Sequence, residues 1–243
     1  MSDSKVILVT GGNAGIGYEI VKLLGEKGHT VYLGARSEAS GKEATTKLQS
    51  EGFKTVKFVQ IDVTKLPTIQ AARDLIEKAE GKLDVLVNNA GIAKFGFDEN
   101  ATTVALDTIR DAMETNFYGL IQTTQTLLPL VRKSSNGVIV NVSTDMASNT
   151  YQARPEAGLH VTAYNTTKAA ANSYAIALAH ELKKDNIKVI AVTPGFTTTK
   201  LNHNAPGGKT TKEGAESIAR WALVDKDGPT CKFFDWNGEE FPW

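Results

Sequence analysis

Residues 6–17 read V-I-L-V-T-G-G-N-A-G-I-G. An aliphatic run suited to a strand is followed at once by four glycines within seven positions. Glycine loses more conformational freedom on folding than any other residue, so a cluster of glycines weakens regular structure. Bare backbone does, however, turn tightly and approach a bound group closely. The stretch therefore predicts a strand, a ligand-binding turn and a helix in succession, with a glycine-rich connection that binds nothing as the alternative.

Short apolar runs alternate with amphipathic stretches along the rest of the chain. Strands are predicted at residues 5–10, 30–35, 55–61, 83–88, 137–143, 188–193 and 232–235. Helices are predicted at residues 16–27, 38–51, 68–79, 103–133, 162–184 and 212–224. This alternation favours a parallel sheet with helices on both faces, and right-handed crossovers make the sheet doubly wound. We therefore expect an α/β fold of about seven parallel strands in one domain, residues 1–243.

The composition excludes several classes of protein. The 243 residues are 41% hydrophobic, and 27 basic residues balance 27 acidic ones. A chain without a basic stripe is not expected to bind nucleic acid, and its apolar runs are too short to span a membrane. No leader pattern opens the sequence, and the single cysteine, Cys231, cannot form an internal disulfide. We expect a cytoplasmic protein with no metal site.

The glycine-rich turn has the context that phosphate binding requires. A helix that begins at such a turn directs its free N–H groups and its positive dipole end at an anion. Residues 10–17, T-G-G-N-A-G-I-G, resemble the turn T-G-x-x-x-G-x-G of the short-chain dehydrogenase/reductase family. The resemblance extends from residue 6 to the last predicted strand, and it implies a Rossmann-type fold and a nicotinamide dinucleotide. It places that dinucleotide against Gly11, Asn13, Gly15, Ile16 and Gly17.

The residue after the second predicted strand indicates which dinucleotide binds. An acidic residue there accepts hydrogen bonds from the ribose of NAD, whereas an arginine accommodates the 2′-phosphate of NADP. No acidic residue ends this strand, and Arg36 follows it directly. A guanidinium binds a phosphate bidentately. We therefore expect NADPH or NADP⁺ rather than NADH, with a solvated surface arginine as the alternative.

Three further segments match cofactor-contacting positions of the family. They follow the third, fourth and sixth predicted strands, and the segment at residues 88–91 reads N-N-A-G. The resemblance assigns to cofactor binding Asp62, Val63, Asn89, Ala90, Gly91, Pro194, Gly195 and Thr197. Thr197 lies at the position that contacts the nicotinamide carboxamide, and Thr198 and Thr199 compete with it for that role.

Tyr164 and Lys168 lie four positions apart, near the start of an alanine-rich predicted helix. Positions i and i+4 share one face of a helix, so the phenol and the ammonium reach the same site. A lysine cation lowers the pKa of a nearby tyrosine, whose ordinary value is ~10. We therefore expect a lowered pKa for Tyr164, which then serves as an acid in reduction or a base in oxidation. By resemblance, both side chains also contact the cofactor.

Two more polar residues complete the predicted catalytic set. Ser143 ends the fifth predicted strand, at the carboxyl edge where open α/β sheets bind ligands, and its hydroxyl can stabilise charge on a carbonyl oxygen. Asn116 lies within the predicted helix at residues 103–133, and the resemblance implies that it holds a water in a proton relay to Lys168. The catalytic residues implied by the resemblance are Asn116, Ser143, Tyr164 and Lys168.

The substrate site is predicted from loops that follow strands. Ser143 and Tyr164 are 21 positions apart, and the intervening insertion at residues 145–161 resembles the carbonyl-reductase subgroup of the family. Members of that subgroup reduce aldehydes and ketones with NADPH, and several are monomers. The loops at residues 93–102, 145–161 and 196–211 supply the apolar wall, which with Ser143 and Tyr164 gives a substrate site that includes Phe95, Met146, Tyr151 and Phe196.

Together these features predict an NADPH-dependent reductase that transfers a hydride to an aldehyde or ketone carbonyl and yields an alcohol. Its partner is then a small carbonyl compound, with no nucleic acid or membrane, and the protein is a monomer or a small homo-oligomer. One alternative is an NAD(P)-dependent alcohol dehydrogenase that works in the oxidative direction. A second alternative is a sensor or scaffold that binds NADP(H) without turnover. Retention of Tyr164 and Lys168 favours an enzyme, and Arg36 disfavours NAD.

Overall fold

Seven parallel strands form one sheet in the order β3-β2-β1-β4-β5-β6-β7. The computed structural model describes residues 4–243. The expected absence of a leader pattern concerns in part the first three residues, which lie outside the described part. The strands are β1 (Val6–Thr10), β2 (Thr30–Ala35), β3 (Val56–Gln60), β4 (Val85–Asn88), β5 (Val138–Val142), β6 (Lys188–Val192) and β7 (Lys232–Phe234). Each neighbouring pair is parallel. The predicted doubly wound α/β fold is confirmed.

Helices cover both faces of the sheet. They are α1 (Gly15–Glu26), α2 (Glu38–Ser50), α3 (Leu66–Glu80), α4 (Leu106–Met113), α5 (Gly119–Val131), α6 (Asn149–Gln152), α7 (Thr162–Leu182) and α8 (Thr211–Ala222). Buried residues of α1, α2 and α8 form one core cluster with the sheet, and those of α3, α5 and α7 form the other. Among residues 4–243, none of the helices is both long and apolar enough to cross a membrane.

Strand β1 shows why its sequence is apolar at every position. Ile7 and Val9 point into the core beneath α1, α2 and α8. Val6 and Leu8 point into the core beneath α3, α5 and α7. All four are buried, because successive side chains of a strand alternate between the two covered faces.

The predicted helix at residues 103–133 is wrong in detail. The chain becomes helical only at Leu106, because Ala105 before it is extended. A π-helical turn, Glu114–Tyr118, then separates α4 from α5. The loops predicted at residues 145–161 and 196–211 also contain local helix, namely α6 and two 3₁₀ turns at Asp145–Ala147 and Lys200–Asn202. The other elements agree with their predicted ranges to within two residues at each end.

Asp84 joins three strands at the amino edge of the sheet. Its Oδ2 accepts a hydrogen bond from the N–H of Val6 at 2.8 Å, and its Oδ1 accepts from Lys82 Nζ at 2.9 Å and Ser134 Oγ at 2.5 Å. Its carbonyl accepts from the N–H of Val138. Burial acts to raise the pKa of Asp84, but the hydrogen bonds from Ser134, Val6 and Lys82 outweigh it and lower the pKa.

Replacing Asp84 by alanine should cost about 2–4 kcal/mol of unfolding free energy, because buried donors lose their acceptor. Urea denaturation of both proteins measures the loss. The pKa of Asp84 is lowered on folding. The contribution of ionised Asp84 to the unfolding free energy is therefore present above the ordinary pKa of 3.8 and is lost as the pH falls through the folded pKa. Asp74→Ala, at an exposed carboxylate paired with Arg73, is the matched control and should cost under about 0.5 kcal/mol. Equal losses in the two variants would contradict the role of Asp84.

Candidate active site

A cavity of about 1210 Å³ opens at the carboxyl ends of the strands. This is the edge at which open α/β sheets bind ligands, and the reversal of strand order between β1 and β4 creates the crevice there. The cavity is lined by the turn after β1 and by the segments that follow β2, β3, β4, β5 and β6. Every residue that the sequence assigns to cofactor or substrate lines it, and Asn116 is the one predicted site residue that does not.

The turn after β1 favours glycine at three positions, Gly11, Gly15 and Gly17. Gly11 and Gly15 have φ of +64° and +57°, in the left-handed region that favours glycine. A Cβ at Gly17 would lie 2.3 Å from the carbonyl oxygen of Gly11 and 2.5 Å from Asn89 Nδ2. A Cβ at Gly15 would meet no protein atom within 4 Å and would project into open space at the edge of the cavity. The turn therefore forms a cradle that leaves room for a ligand at the start of α1.

The segment after β4 holds this turn in place. Thr10 Oγ1 accepts hydrogen bonds from the N–H groups of Asn89 and Ala90, both at 3.0 Å. The side-chain amide of Asn89 donates to the carbonyl oxygens of Thr10 and Gly11, at 2.9 and 3.2 Å. The two segments that the sequence matched separately are thus one hydrogen-bonded unit.

Polar groups cluster around Arg36 at one end of the cavity. Arg36 is exposed, and its guanidinium forms no salt bridge with any carboxylate of residues 4–243. Ser37 caps α2 by accepting from the N–H of Ser40, and Asn13 Nδ2 donates to Ser40 Oγ at 3.2 Å. Ser37 and Ser40 line the cavity as well. The sequence reasoning missed both serines, although an N-cap signal directly after Arg36 was present to find them.

Lys168 and Ser143 lie side by side at the other end of the cavity. Helix α7 carries Lys168, whose Nζ donates to the carbonyl oxygen of Val142 at 2.9 Å, and Ser143 is the next residue after Val142. Lys168 and Ser143 are each 5% exposed. Burial lowers the pKa of Lys168 to about 8. Lys168 is therefore a cation at neutral pH whose proton is loosely held.

The pKa of Tyr164 differs from the value expected from the sequence. Burial, and then the negative charge of Asp145, raise the pKa of the Tyr164 phenol well above its ordinary value. The expected lowering of this pKa is wrong for this structure, because burial and the Asp145 carboxylate both raise it and Lys168 is not among the groups that shift it. Tyr164 consequently keeps its proton at neutral pH, which suits a proton donor.

Asn116 lies behind the cavity, on the π-helical turn. Its Oδ1 accepts from the N–H of Ile92 and its Nδ2 donates to the carbonyl oxygen of Ile92, both at 2.8 Å, while Nδ2 also reaches Thr167 Oγ1 at 3.0 Å. A Cβ at Gly91 would lie 3.3 Å from Asn116 Oδ1 and 3.4 Å from Lys168 Nζ, so these two atoms are close to the same point. Asn116 thus connects the segment after β4 to α7, and its part in a proton relay stays a prediction.

One polar residue at this end was missed by the sequence reasoning. Ser143 Oγ lies 2.7 Å from Asn172 Oδ1, and Asn172 is 5% exposed. Asn172 follows Lys168 by four residues and Tyr164 by eight, so the three share one face of α7. In the sequence, only its position eight residues after Tyr164 could have pointed to Asn172. A polar residue within an alanine-rich helix does not by itself indicate a site.

Comparison with known proteins identifies the family. The sequence profile described as short chain dehydrogenase matches residues 5–209. The chain belongs to that family. Salutaridine reductase of Papaver bracteatum is 31% identical to it over an alignment of 293 positions, which covers 94% of this chain and 93% of the relative. The resemblance inferred from the motifs is confirmed, and the protein is an oxidoreductase of the short-chain dehydrogenase family.

Solved structures agree with this fold. The structure of salutaridine reductase from Papaver somniferum superimposes with a TM-score of 0.82 at 30% identity and covers 94% of this chain and 99% of that one. An NADPH-bound carbonyl reductase from chicken fatty liver gives a TM-score of 0.86 at 24% identity and covers 99% of both chains. The fold of this chain is thus shared with both solved structures.

The outer part of the cavity in this short-chain dehydrogenase is apolar. Phe95 packs against the ring of Tyr164 with centroids 5.7 Å apart. Met146, Tyr151 and Phe196 line the cavity, and Phe196 is 51% exposed; their contact with a substrate stays a prediction. Leu159 and Leu201 also line the cavity, and sequence reasoning did not single them out. These loop residues therefore form an apolar wall beside the hydroxyl groups of Ser143 and Tyr164.

The 145–161 insertion is fixed by the end of the chain. The main-chain oxygen of Trp243 accepts from the N–H of Thr150 and from Ser148 Oγ, both at 3.3 Å. The ring of Tyr151 packs against Phe241 with centroids 5.3 Å apart. The last residues of the chain therefore support the wall of the cavity from outside.

The burial of Lys168 predicts how stability responds to pH. Its pKa is lowered from 10.5 to about 8 on folding, so between these values the unfolded chain binds a proton that the folded protein does not. The unfolding free energy therefore gains a contribution that grows as the pH rises through this window, to roughly 3 kcal/mol at its upper end. Lys168→Met removes the contribution. Urea denaturation at several pH values should show the difference between wild type and variant changing across this window, and a constant difference would contradict the prediction.

Proposed function

We propose that this protein is an NADPH-dependent reductase that converts an aldehyde or ketone into an alcohol. The observation that carries the proposal is the placement of Ser143, Tyr164 and Lys168 in the same cavity as the glycine turn and Arg36. One end of the cavity has the groups that hold a dinucleotide phosphate, and the other end has a proton donor and a hydroxyl for a carbonyl oxygen. Salutaridine reductase, the relative at 31% identity, is itself named as a reductase.

The residues present fit NADPH. The glycine turn gives its pyrophosphate bare backbone at the start of α1, where the space next to Gly15 is open. Arg36, with Ser37 and Ser40 beside it, would hold the 2′-phosphate by charge and hydrogen bonds. Lys168 and Thr197 would contact the nicotinamide end. When bound, NADPH supplies the hydride, which is the chemistry that the protein side chains lack.

The chain's own residues supply orientation and the proton. The substrate carbonyl would lie with its oxygen between the hydroxyl groups of Tyr164 and Ser143. Tyr164 gives its proton to that oxygen, which becomes the hydroxyl of the alcohol, and Ser143 stabilises the charge that develops before the transfer. The Lys168 cation stabilises the phenolate left on Tyr164. Phe95, whose ring packs against that of Tyr164, would give the substrate an apolar contact beside the proton donor.

Tyr164 would act as an acid in reduction and, in its deprotonated form, as a base in oxidation. Burial and Asp145 raise the pKa of Tyr164 and thus oppose that form. Arg36 and the absence of an acidic residue at the end of β2 disfavour the NAD-dependent oxidative alternative, and the presence of both Tyr164 and Lys168 in the cavity disfavours the non-catalytic one.

The remaining expectations stay predictions. The substrate is expected to be a small carbonyl compound with an apolar body, because the cavity wall is apolar beyond the hydroxyl groups. The protein is expected to be cytoplasmic, with no nucleic-acid, membrane or metal partner, and to be a monomer or a small homo-oligomer of one domain spanning residues 1–243.

Tyr164→Phe tests the proton donor. The variant should lower kcat for carbonyl reduction by about 10²–10⁴-fold, because the acid is gone while the ring that packs on Phe95 remains. NADPH oxidation at 340 nm with a panel of aldehydes, ketones and quinones measures turnover. The dissociation constant for NADPH, from fluorescence titration, should change by less than about threefold. Turnover retained in this variant would contradict the assignment.

Arg36→Ala tests the choice of cofactor. Loss of charge-assisted hydrogen bonds worth about 1.5–3 kcal/mol should raise the dissociation constant for NADPH by about 10–150-fold. The dissociation constant for NADH should hardly change, because NADH has no 2′-phosphate. Lys42→Ala, at an exposed cation of α2 that pairs with Glu38, is the matched control and should alter neither constant. An equal loss for NADPH and NADH would show that Arg36 does not select the phosphate.

A further inference from the structure

Asn172 is a buried amide that touches the predicted catalytic serine. Tyr164, Lys168 and Asn172 follow one another at four-residue intervals on α7, so Asn172 lies one turn below Lys168. The atom assigned as its amide oxygen, Oδ1, lies 2.7 Å from Ser143 Oγ. Within residues 4–243, Asn172 Nδ2 is buried and has no hydrogen-bond partner. The amide and the hydroxyl therefore form an isolated pair at the inner end of the cavity.

The direction of the hydrogen bond between Ser143 and Asn172 decides whether the Ser143 hydroxyl can donate to a substrate. A serine hydroxyl has one proton to donate and two lone pairs to accept with. If Ser143 donates to Asn172 Oδ1, that proton is used inside the protein, and a buried N–H₂ is left unpaired. Orphaned buried N–H groups are rarer than oxygens with an unfilled lone pair.

Turning the amide by 180° gives the buried N–H₂ a partner and leaves the amide oxygen, instead of the nitrogen, without a hydrogen bond within residues 4–243. The oxygen and nitrogen of an asparagine amide have nearly the same shape, and their assignment rests on hydrogen bonding. With Nδ2 on the Ser143 side, the amide donates to Ser143 Oγ, and the buried N–H gains a partner. The Ser143 proton is then free to point into the cavity, where the carbonyl oxygen would lie.

We propose that Asn172 is a positioning residue that donates through Nδ2 to Ser143 Oγ and thereby directs the Ser143 hydroxyl at the substrate carbonyl. The proposal rests on the proposed reductase function for its kinetic consequence. The orientation of the amide is a property of the protein alone and is tested separately.

Asn172→Asp is the discriminating variant. Aspartate has the shape of asparagine, but when ionised it only accepts hydrogen bonds, so Ser143 would donate to it and not to the substrate. The kcat for reduction should fall by about 100-fold, as for the loss of one oxyanion donor, while the NADPH dissociation constant stays within about twofold. Lowering the pH should restore kcat as the buried carboxyl takes up a proton and regains a donor. Ser173→Asp adds the same charge to the exposed side of α7, one residue after Asn172, and should change kcat by less than about threefold.

A double-mutant cycle separates positioning from a structural role. If Asn172 acts through Ser143, Ser143→Ala alone should cost about as much kcat as Asn172→Asp, and the double variant should lie within about threefold of Ser143→Ala. Additive losses, or a pH profile of Asn172→Asp parallel to that of wild type, would overturn the proposal. Wild-type kcat in Asn172→Asp would also overturn it.

The amide orientation can be read without any turnover. In protein labelled with ¹⁵N-asparagine, the Nδ2 protons of Asn172 are identified by their Overhauser contacts to Ser143. Their resonances should shift on going from wild type to Ser143→Ala, because the acceptor is removed. Unshifted resonances would overturn the proposal, even if Asn172→Asp did not fold. A shift together with no reductase activity on any carbonyl would support the orientation and contradict the proposed function instead.

Discussion

The contact between the turn after β1 and the segment after β4 is the constraint on which the site depends. Strand order reverses between these two strands, so their connections diverge and leave a crevice. Thr10 and Asn89 bond across that crevice, and Gly17 lies so close to Gly11 that a methyl group would not fit. These bonds keep the cradle rigid and open toward α1, so a dinucleotide would meet a preformed surface.

Helix α7 then sets the distances on the catalytic side. One face of it presents Tyr164, Lys168 and Asn172 at successive turns. Ser143 contacts Asn172, and Lys168 bonds to the carbonyl oxygen of Val142, the residue before Ser143. Burying Lys168 lowers its pKa to about 8, which means that the folded protein is destabilised by a cation that it keeps at neutral pH. The bond from Lys168 to the Val142 carbonyl offsets part of that cost and places the ammonium beside Ser143.

Sequence reasoning could place the strands and the cavity lining because both follow from local patterns. Apolar runs covered on two faces predict parallel strands, and the residue after each strand lies at the ligand edge. The π-helical turn at Asn116 could not be predicted, since one extra residue per turn hardly changes the apolar periodicity of residues 103–133. The partner of Ser143 could not be predicted either, because Asn172 is 29 positions away and reads as one polar residue in an alanine-rich helix.

The pKa of Tyr164 depends on burial, which the spacing of residues in the sequence does not give. Spacing alone places a cation near the phenol and so predicts a lowered pKa. Burial and the carboxylate of Asp145 depend on how the insertion at residues 145–161 folds over the cavity, and both act in the opposite direction. Because burial disfavours charge on either group, it raises the pKa of Tyr164 and lowers that of Lys168. Below about pH 8 the site therefore combines a neutral phenol with a charged ammonium, which is the pair of protonation states that giving a proton to a carbonyl oxygen requires.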